Sequence, residues 1–336
     1  MVLPSPSRVF AEKVKEATQL HNDLFVSGDT IGGGALSSAL KVHLKQGLRV
    51  LMTENAAFTV RNNLDQVRKL GIEIVPVDQE PKSFQGEKLR IEEVNLKKLA
   101  DFLAEFNEDL SDVDFVAIAV QDHGAFPKNM SNRQFRLQQM KAFMSKESKL
   151  ENLAFKIDEI PQYFLRMKAA AKAAMRQLPN AQVLLMDTAP AAILGCLMDP
   201  YVQKKNSALV INVGNGHTMA ATISNGKVQG LMEHHTHLLT PYKIEQLLTN
   251  LMEGKLTAEK VFNDGGHGAY YLTSHSSIQK PDIIAATGPN RKILDETKLP
   301  VHFASPAGDM MMTGPVGLLE ATAKKFKLRV SKKTNY

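Results

Sequence analysis

The sequence predicts a two-lobed α/β protein. Three observations carry that prediction. The first third alternates short apolar runs with amphipathic helical stretches, which implies parallel strands joined by right-handed crossovers. The stretch from Ala208 to Met232 holds three apolar runs joined by short turns, the pattern of an antiparallel meander. The chain has 336 residues, more than one core of ordinary size accommodates.

In the first third, Leu24 to Val26 reads as a strand, Ala35 to Lys45 as a helix and Arg49 to Met52 as a strand. Asn62 to Leu70 reads as a helix, and Glu73 to Val77 as a third strand. A helix is expected over Leu96 to Phe106. The continuous apolar run Phe115 to Val120 suits a strand buried on both faces. Ser131 to Lys149 is polar and basic, and is expected to form a partly exposed helix. Tyr163 to Leu178 is a helix with an Ala-rich face.

Val183 to Met186 is the next strand, and Ala189 to Leu197 a helix of small residues ended by Asp199-Pro200. The rise in β-propensity at Ala208 places a lobe boundary near residue 204. After the meander come a helix over Pro241 to Met252, strands at Ile283 to Ala286 and Val301 to Phe303, and a closing helix over Met310 to Lys324. Lobe one is expected to be residues 1–204 plus 305–336, and lobe two residues 205–304.

Composition narrows the function classes. Hydrophobic residues make up 43% and charged residues 23%, normal for a globular chain. No run approaches the roughly 20 apolar residues needed to span a bilayer. The N-terminus lacks the basic and apolar regions of a signal peptide. The single cysteine, Cys196, excludes an intramolecular disulfide framework. Together these point to the cytoplasm and away from membranes. The net charge of +6 is concentrated near the end, in Lys324, Lys325, Lys327, Arg329, Lys332 and Lys333. No aromatic residues interleave with them and no nucleic-acid reading motif is present, which argues for a solvated tail.

Five segments could carry chemistry. The first is Asn212-Val-Gly-Asn-Gly-His-Thr218, directly after a buried strand. Gly214 and Gly216 permit backbone conformations closed to other residues, and the exposed N–H groups of such a turn form an anion-binding concavity. Asn215 and His217 lie within it, and Thr218 adds a hydroxyl. The competing reading is an ordinary hairpin turn, since Asn-Gly is a common hairpin signal. The second is Ala285-Ala-Thr-Gly-Pro-Asn290, in which Thr287, Gly288 and Pro289 make a strand-to-helix turn. The third is Ser27-Gly-Asp-Thr-Ile-Gly-Gly-Gly34. It lacks the Lys-Ser/Thr ending of a P-loop, but Asp29 could face a ligand at a strand's C-terminal end. The fourth is Gln121-Asp-His-Gly124, where Asp122 and His123 could act as acid or base. The fifth combines Glu233-His-His-Thr-His237 with Asp264-Gly-Gly-His-Gly268. Here His234, His235, His237, His267 and Asp264 could bind a transition metal, or the histidines could hydrogen-bond phosphate.

Taken in order, the second half resembles the actin-like ATPase superfamily (ribonuclease H-like fold), which includes sugar kinases, heat-shock ATPases and actin. Asn212 to Thr218 resembles its second phosphate motif, Asp-x-Gly-x-Gly-x-Thr. Ala285 to Pro289 resembles its adenosine motif. Asp187 to Gly195 and Pro306 to Ala321 resemble its two connecting helices. At closer range the whole chain resembles a prokaryotic family labelled "putative pyruvate formate-lyase activating enzyme". The matching stretches are Leu3-Pro-Ser-Pro6, Gly28 to Gly34, Val120 to Gly124, Glu233 to Thr236, Asp264 to Gly268 and Gly308 to Met312.

The resemblance implies ATP and Mg²⁺, with nucleotide in the cleft between lobes and an unidentified small-molecule or protein substrate. It implies ATP-dependent phosphoryl transfer or hydrolysis. Gly214 to Thr218 would hold the terminal phosphates, Gly288 and Pro289 would meet the adenosine, and Asp29, or Asp122 with His123, would orient the nucleophile. Two departures bear on turnover. The superfamily's first phosphate hairpin is expected to be missing from this chain, which begins at the Leu-Pro-Ser-Pro segment. Asn212 stands where a carboxylate often helps position hydrated Mg²⁺. The label's own chemistry needs an iron–sulfur cluster on three clustered cysteines, and the sequence contains one cysteine. A metal-dependent hydrolase using the His-rich segments and a non-catalytic nucleotide-binding regulator are the alternatives. Oligomeric state is left open.

Overall fold

The computed structural model describes residues 4–76, 84–127, 130–274 and 278–328. Leu3, Val77, Arg329, Lys332 and Lys333, named above, lie outside the described residues. The strands are β1 (Leu24–Gly28), β2 (Val50–Thr53), β3 (Ile72–Val75), β4 (Glu87–Ile91), β5 (Phe115–Ala119), β6 (Ala154–Lys156), β7 (Gln182–Met186), β8 (Ser207–Val213), β9 (His217–Ser224), β10 (Lys227–His235), β11 (Gly268–Tyr271), β12 (Ile283–Thr287) and β13 (Val301–Phe303). The helices are α1 (Pro6–Gln19), α2 (Gly34–Lys45), α3 (Glu54–Ala57), α4 (Leu64–Arg68), α5 (Leu96–Ala104), α6 (Asn132–Met144), α7 (Leu165–Gln177), α8 (Thr188–Cys196), α9 (Pro241–Met252), α10 (Ala258–Asn263) and α11 (Thr313–Lys325). None is long and apolar enough to cross a membrane among the described residues.

The chain divides into two compact units. The first comprises residues 1–116, 124–126 and 160–183; the second comprises residues 117–123, 127–159 and 184–336. The first unit contains a four-stranded sheet of order β3-β2-β1-β4, parallel throughout. That is the pairing implied by the strand–helix alternation. Leu24, Val26, Val50 and Met52 share its core with Ala11 and Val14 of α1 and with Leu36 and Leu40 of α2. The amphipathic spacing of Ala11, Val14 and Ala17 makes α1 a core helix, with Pro6 in its first turn, where a missing N–H costs nothing.

The second unit is built on a six-stranded sheet of order β11-β10-β9-β8-β12-β13. β8, β9 and β10 form the expected antiparallel meander, while β12 and β13 run parallel to β8 on its other side. A meander with two parallel strands beside its first strand makes a mixed sheet, so the α/β class expected from the sequence is present in this unit. β8 is buried along its whole length because both faces are covered. Leu209, Ile211 and Val213 pack with Ile244, Leu247 and Leu251 of α9. Ala208 and Val210 point the other way, toward Ala191 and Leu194 of α8 and Leu318 of α11. α8 and α11 cross closely. A Cβ on Gly195 would overlap the Thr313 carbonyl, and one on Gly317 would overlap the Ala191 carbonyl.

One strand differs from expectation. β5 is half-buried at all five residues, where its apolar run suggested burial on both faces. It is the end strand of a third sheet, order β5-β7-β6, and has a hydrogen-bonded neighbour on one edge among the described residues.

Candidate functional site

The β8–β9 turn is set by strand register. Val213 pairs with Thr218, leaving Gly214 to His217 as the connection. The Gly214 N–H donates to the His217 carbonyl at 3.0 Å and closes the turn. A Cβ on Gly214 would lie 2.7 Å from that carbonyl, so the position needs glycine. An ordinary two-residue Asn-Gly hairpin requires positive φ at both central residues. The next hairpin of the same meander has this geometry, with Asn225 at φ 49° and Gly226 at φ 73°. Neither Asn215 nor Gly216 has positive φ. The same dipeptide therefore makes two different turns. At the first, Asn215 and Gly216 are exposed and their N–H groups donate no hydrogen bond among the described residues.

The Thr287-Gly288-Pro289 turn lies against this one. β12 pairs with β8 so that Thr287 is opposite Asn212. Gly288 has φ +100°, and a Cβ there would overlap the Val213 carbonyl and approach Asn212 Oδ1 to 2.9 Å. The Asn290 N–H donates to the Val213 carbonyl at 3.1 Å, and Asn290 Nδ2 donates to the Gly214 carbonyl at 3.0 Å. Pro289 is exposed and Thr287 is buried, its hydroxyl donating to Thr313 Oγ1 at 3.0 Å. Thr218 does not offer its hydroxyl to a ligand as expected. It is fully buried and bonds Thr236 Oγ1 at 3.0 Å, and Thr236 donates onward to the Gly214 carbonyl at 2.8 Å. The period of β9 turns it inward, where it braces the turn.

Beneath the turn is a buried ionic group that sequence reasoning missed. Arg136 is 2% exposed. It binds Asp187 through two nitrogens at 2.6 and 2.9 Å and Glu233 at 2.9 and 3.0 Å, and it donates to the Asp122 carbonyl at 3.0 Å. Asp187 also caps α8 through the Ala189 N–H. Burial alone would raise the Glu233 carboxyl, but the Arg136 guanidinium and His267 outweigh it and hold it well below the usual carboxylate range. The available signal was phase. Arg136, Met140 and Met144 fall at four-residue intervals on one face of α6, and all three are buried.

The histidines divide into two groups. His234 Nε2 lies 3.0 Å from Asp264 Oδ2 and its Nδ1 lies 3.1 Å from the His235 carbonyl. Asp264 is further bound to Lys243 at 2.9 Å. His234 and Asp264 are thus engaged with each other and do not join the remaining members of the metal set expected from the sequence. Successive side chains of β10 point to opposite faces, which separates His234 from His235.

His123, His217 and His267 converge instead, each offering a ring nitrogen within 4.8 Å of the others. The His235 ring lies 4.8 Å from that of His217 and 5.0 Å from that of His267, and His237 lies 5.6 Å beyond His235. His267 Nδ1 is 3.1 Å from Glu233 Oε2, at ion-pair distance but off the line of a hydrogen bond; its Nε2 has no partner among the described residues. His217 Nδ1 is 2.9 Å from Gln121 Nε2, and its buried Nε2 has no partner among the described residues. Burial pushes His217 and His235 down to about 4 and His123 well below its ordinary value, with the nearby Arg136 adding to the effect on His123. All three imidazoles are neutral at pH 7.

Asp29 belongs to the first unit and pairs with Arg176 at 3.3 Å. The glycine loop after it is closed by its own contacts. The Ile31 N–H donates to Thr59 Oγ1, the Gly32 N–H donates to Glu93 Oε2, and Gly33 lies against the Thr59 carbonyl.

Residues 31–293 match the family model described as "Putative pyruvate format-lyase activating enzyme", and the chain belongs to that family. The activity in that description requires three cysteine ligands, whereas the sequence holds Cys196 alone, buried and with its thiol pKa pushed up by burial. No curated protein matches the chain. Among solved structures it is similar to an ROK hexokinase from Thermus thermophilus, at 16% identity and TM-score 0.25, over 50% of this chain and 73% of that one. It is also similar to an acetate kinase from Entamoeba histolytica, at 10% identity and TM-score 0.31, over 76% of this chain and 86% of that one.

Proposed function

We propose that the second unit binds the phosphates of a nucleotide, ATP by family resemblance, at the paired β8–β9 and β12 turns, in the service of phosphoryl transfer or hydrolysis. The observation that carries this is the contrast between the two Asn-Gly turns. Asn225-Gly226 has the plain hairpin conformation, while Asn215-Gly216 does not and is exposed, with two N–H groups unbonded among the described residues. Outward N–H groups in a glycine turn are an anion-binding device. The close approach of Gly288 to Val213 supports the same reading, because it places the strand-Thr-Gly turn beside the phosphate turn. Pro289 would lie toward the nucleoside. Asn212 supplies no carboxylate, and Asp187 and Glu233 are bound to Arg136. Mg²⁺ would therefore be held chiefly by the phosphates themselves. Asp122, following β5 in the same unit, is the group to orient an acceptor.

Calorimetric titration of the full chain with ATP and Mg²⁺ tests the reading. Gly216→Val is the matched variant, because nothing lies within 4 Å of a Cβ at that position and the fold has room for it. The bulk of valine over the tip should weaken ATP binding by about tenfold or more, the loss of one charge-assisted hydrogen bond. No heat from folded protein, or equal binding by the variant, would refute the proposal.

A further inference from the structure

We propose that His123, His217 and His267 form a binding site for one divalent transition-metal ion, zinc(II) first among them, with Glu233 orienting His267 from behind. The inference goes beyond the nucleotide reading and does not rest on it. The three ligands come from distant parts of the chain: the segment after β5, the β8–β9 turn, and the residue before β11. Each offers a ring nitrogen within 4.8 Å of the other two. Tetrahedral zinc with Zn–N of about 2.1 Å sets ligand nitrogens roughly 3.4 Å apart, so the widest pair needs to close by at most about 1.4 Å. Small side-chain rotations supply that.

Hydrogen bonding and grouping together set these residues apart. His234 is fully buried and both its ring nitrogens have partners. His217 and His267 carry buried Nε2 atoms with no partner among the described residues; His43 does too, but it lies in the first unit and belongs to no cluster of ligand atoms. An unpartnered buried polar atom is costly in a native core, and a bound ion would remove that cost at both atoms together. The opposite ring nitrogens are backed as metal-binding histidines are. Glu233 Oε2 stands 3.1 Å from His267 Nδ1, where a small ring rotation brings it into line as an acceptor, and Gln121 Nε2 stands 2.9 Å from His217 Nδ1. A metal on His217 Nε2 places the proton on Nδ1 and requires the Gln121 amide turned over, so that its oxygen accepts.

Charge agrees. Arg136 with Asp187 and Glu233 leaves a formal charge of −1 in a group at most 4% exposed. A buried net negative charge beside three imidazoles favours a cation. Three histidine ligands leave a fourth position for water or an anionic oxygen, and His217 places that position beside the phosphate turn.

The test uses the full chain after chelator treatment, without nucleotide. Zinc(II) is titrated calorimetrically, and cobalt(II) is titrated with visible absorbance as the probe of coordination. One ion per chain with low-symmetry cobalt bands is expected. His123→Ala and His217→Ala, both at part-exposed positions, should each lower zinc affinity by about 100-fold or more, at or beyond the top of the range for losing an outer partner. His21→Ala, at an exposed turn, should leave affinity unchanged. Circular dichroism of each variant confirms folding before titration. Absence of stoichiometric binding by folded protein would overturn the proposal. So would binding that persists undiminished in both His123→Ala and His217→Ala, since the ion would then sit elsewhere.

Discussion

Replacing Arg136 by methionine keeps the helix face apolar and removes the only cation bound by Asp187 and Glu233 among the described contacts. Arg136, Asp187 and Glu233 have side chains 2%, 4% and 0% exposed. Breaking a buried ion pair from one side costs about 3–5 kcal/mol. Here two carboxylates are stranded, so the upper end, about 5 kcal/mol at pH 7, is expected. That is a large share of the roughly 5–15 kcal/mol that holds a domain folded. The pH dependence gives the sharper check. In the native protein Glu233 titrates well below its unfolded value. Its contribution is therefore present above that unfolded value and is lost as pH falls. In Arg136→Met the largest opposition to burial is gone and only His267 remains against it, so the folded carboxyl is expected to titrate above its unfolded value and acidification to relieve the penalty. The gap between variant and native protein should narrow from pH 8 to pH 5 by about 1.4 kcal/mol per pH unit for each carboxyl that titrates. Urea unfolding followed by circular dichroism at pH 8, 7, 6 and 5 measures it. Adding Asp187→Asn and Glu233→Gln should recover much of the loss, because no buried charge then remains. A gap under about 1 kcal/mol at pH 7, or one that widens on acidification, would refute the account of this group.

Other consequences follow from the same geometry. The metal-free native protein should lose stability between pH 6.5 and 4, because His217 titrates at about 4 when folded and binds its proton near 6.5 when unfolded. The loss from this residue is at most about 3.4 kcal/mol, and His217→Gln should flatten that part of the urea-midpoint profile. Gly288→Ala places a Cβ against the Val213 carbonyl at φ +100°. It should cost about 1–3 kcal/mol in thermal unfolding and weaken ATP binding, whereas a neutral substitution would remove the packing argument for the paired turns. Gly195→Ala drives a methyl into the Thr313 carbonyl where α8 crosses α11. A loss of about 3 kcal/mol or more is expected in denaturant melts, and an unchanged midpoint would show that the two helices separate freely.

The fold was legible where periodicity is a local property. β8, β9 and β10 announced themselves by apolar runs between short turns, and the parallel β1–β2–β3 set by its alternation with helices. β4 was not legible, because Glu87-Lys-Leu-Arg-Ile91 carries only two buried residues and reads as polar. β5 showed how a run of apolar residues records propensity without recording how many neighbours the strand will have.

The candidate site was legible in its residue types and not in its grouping. The composition of the Asn212–Thr218 and His-rich segments follows from the chain alone, because glycine, asparagine and histidine have their chemistry wherever they fall. Which histidines face one another depends on strand register and on contacts between residues a hundred positions apart. Register turned His234 toward Asp264 and Thr218 into the core, while it gathered His123, His217 and His267. It also gave Asn215-Gly216 and Asn225-Gly226, identical as dipeptides, different backbones: Thr236 and Asn290 hold the first through the Gly214 carbonyl, while the second, its Asn225 N–H on the Asn206 carbonyl, takes the hairpin minimum. Local chemistry is written residue by residue, but the partners that direct it are set by tertiary packing.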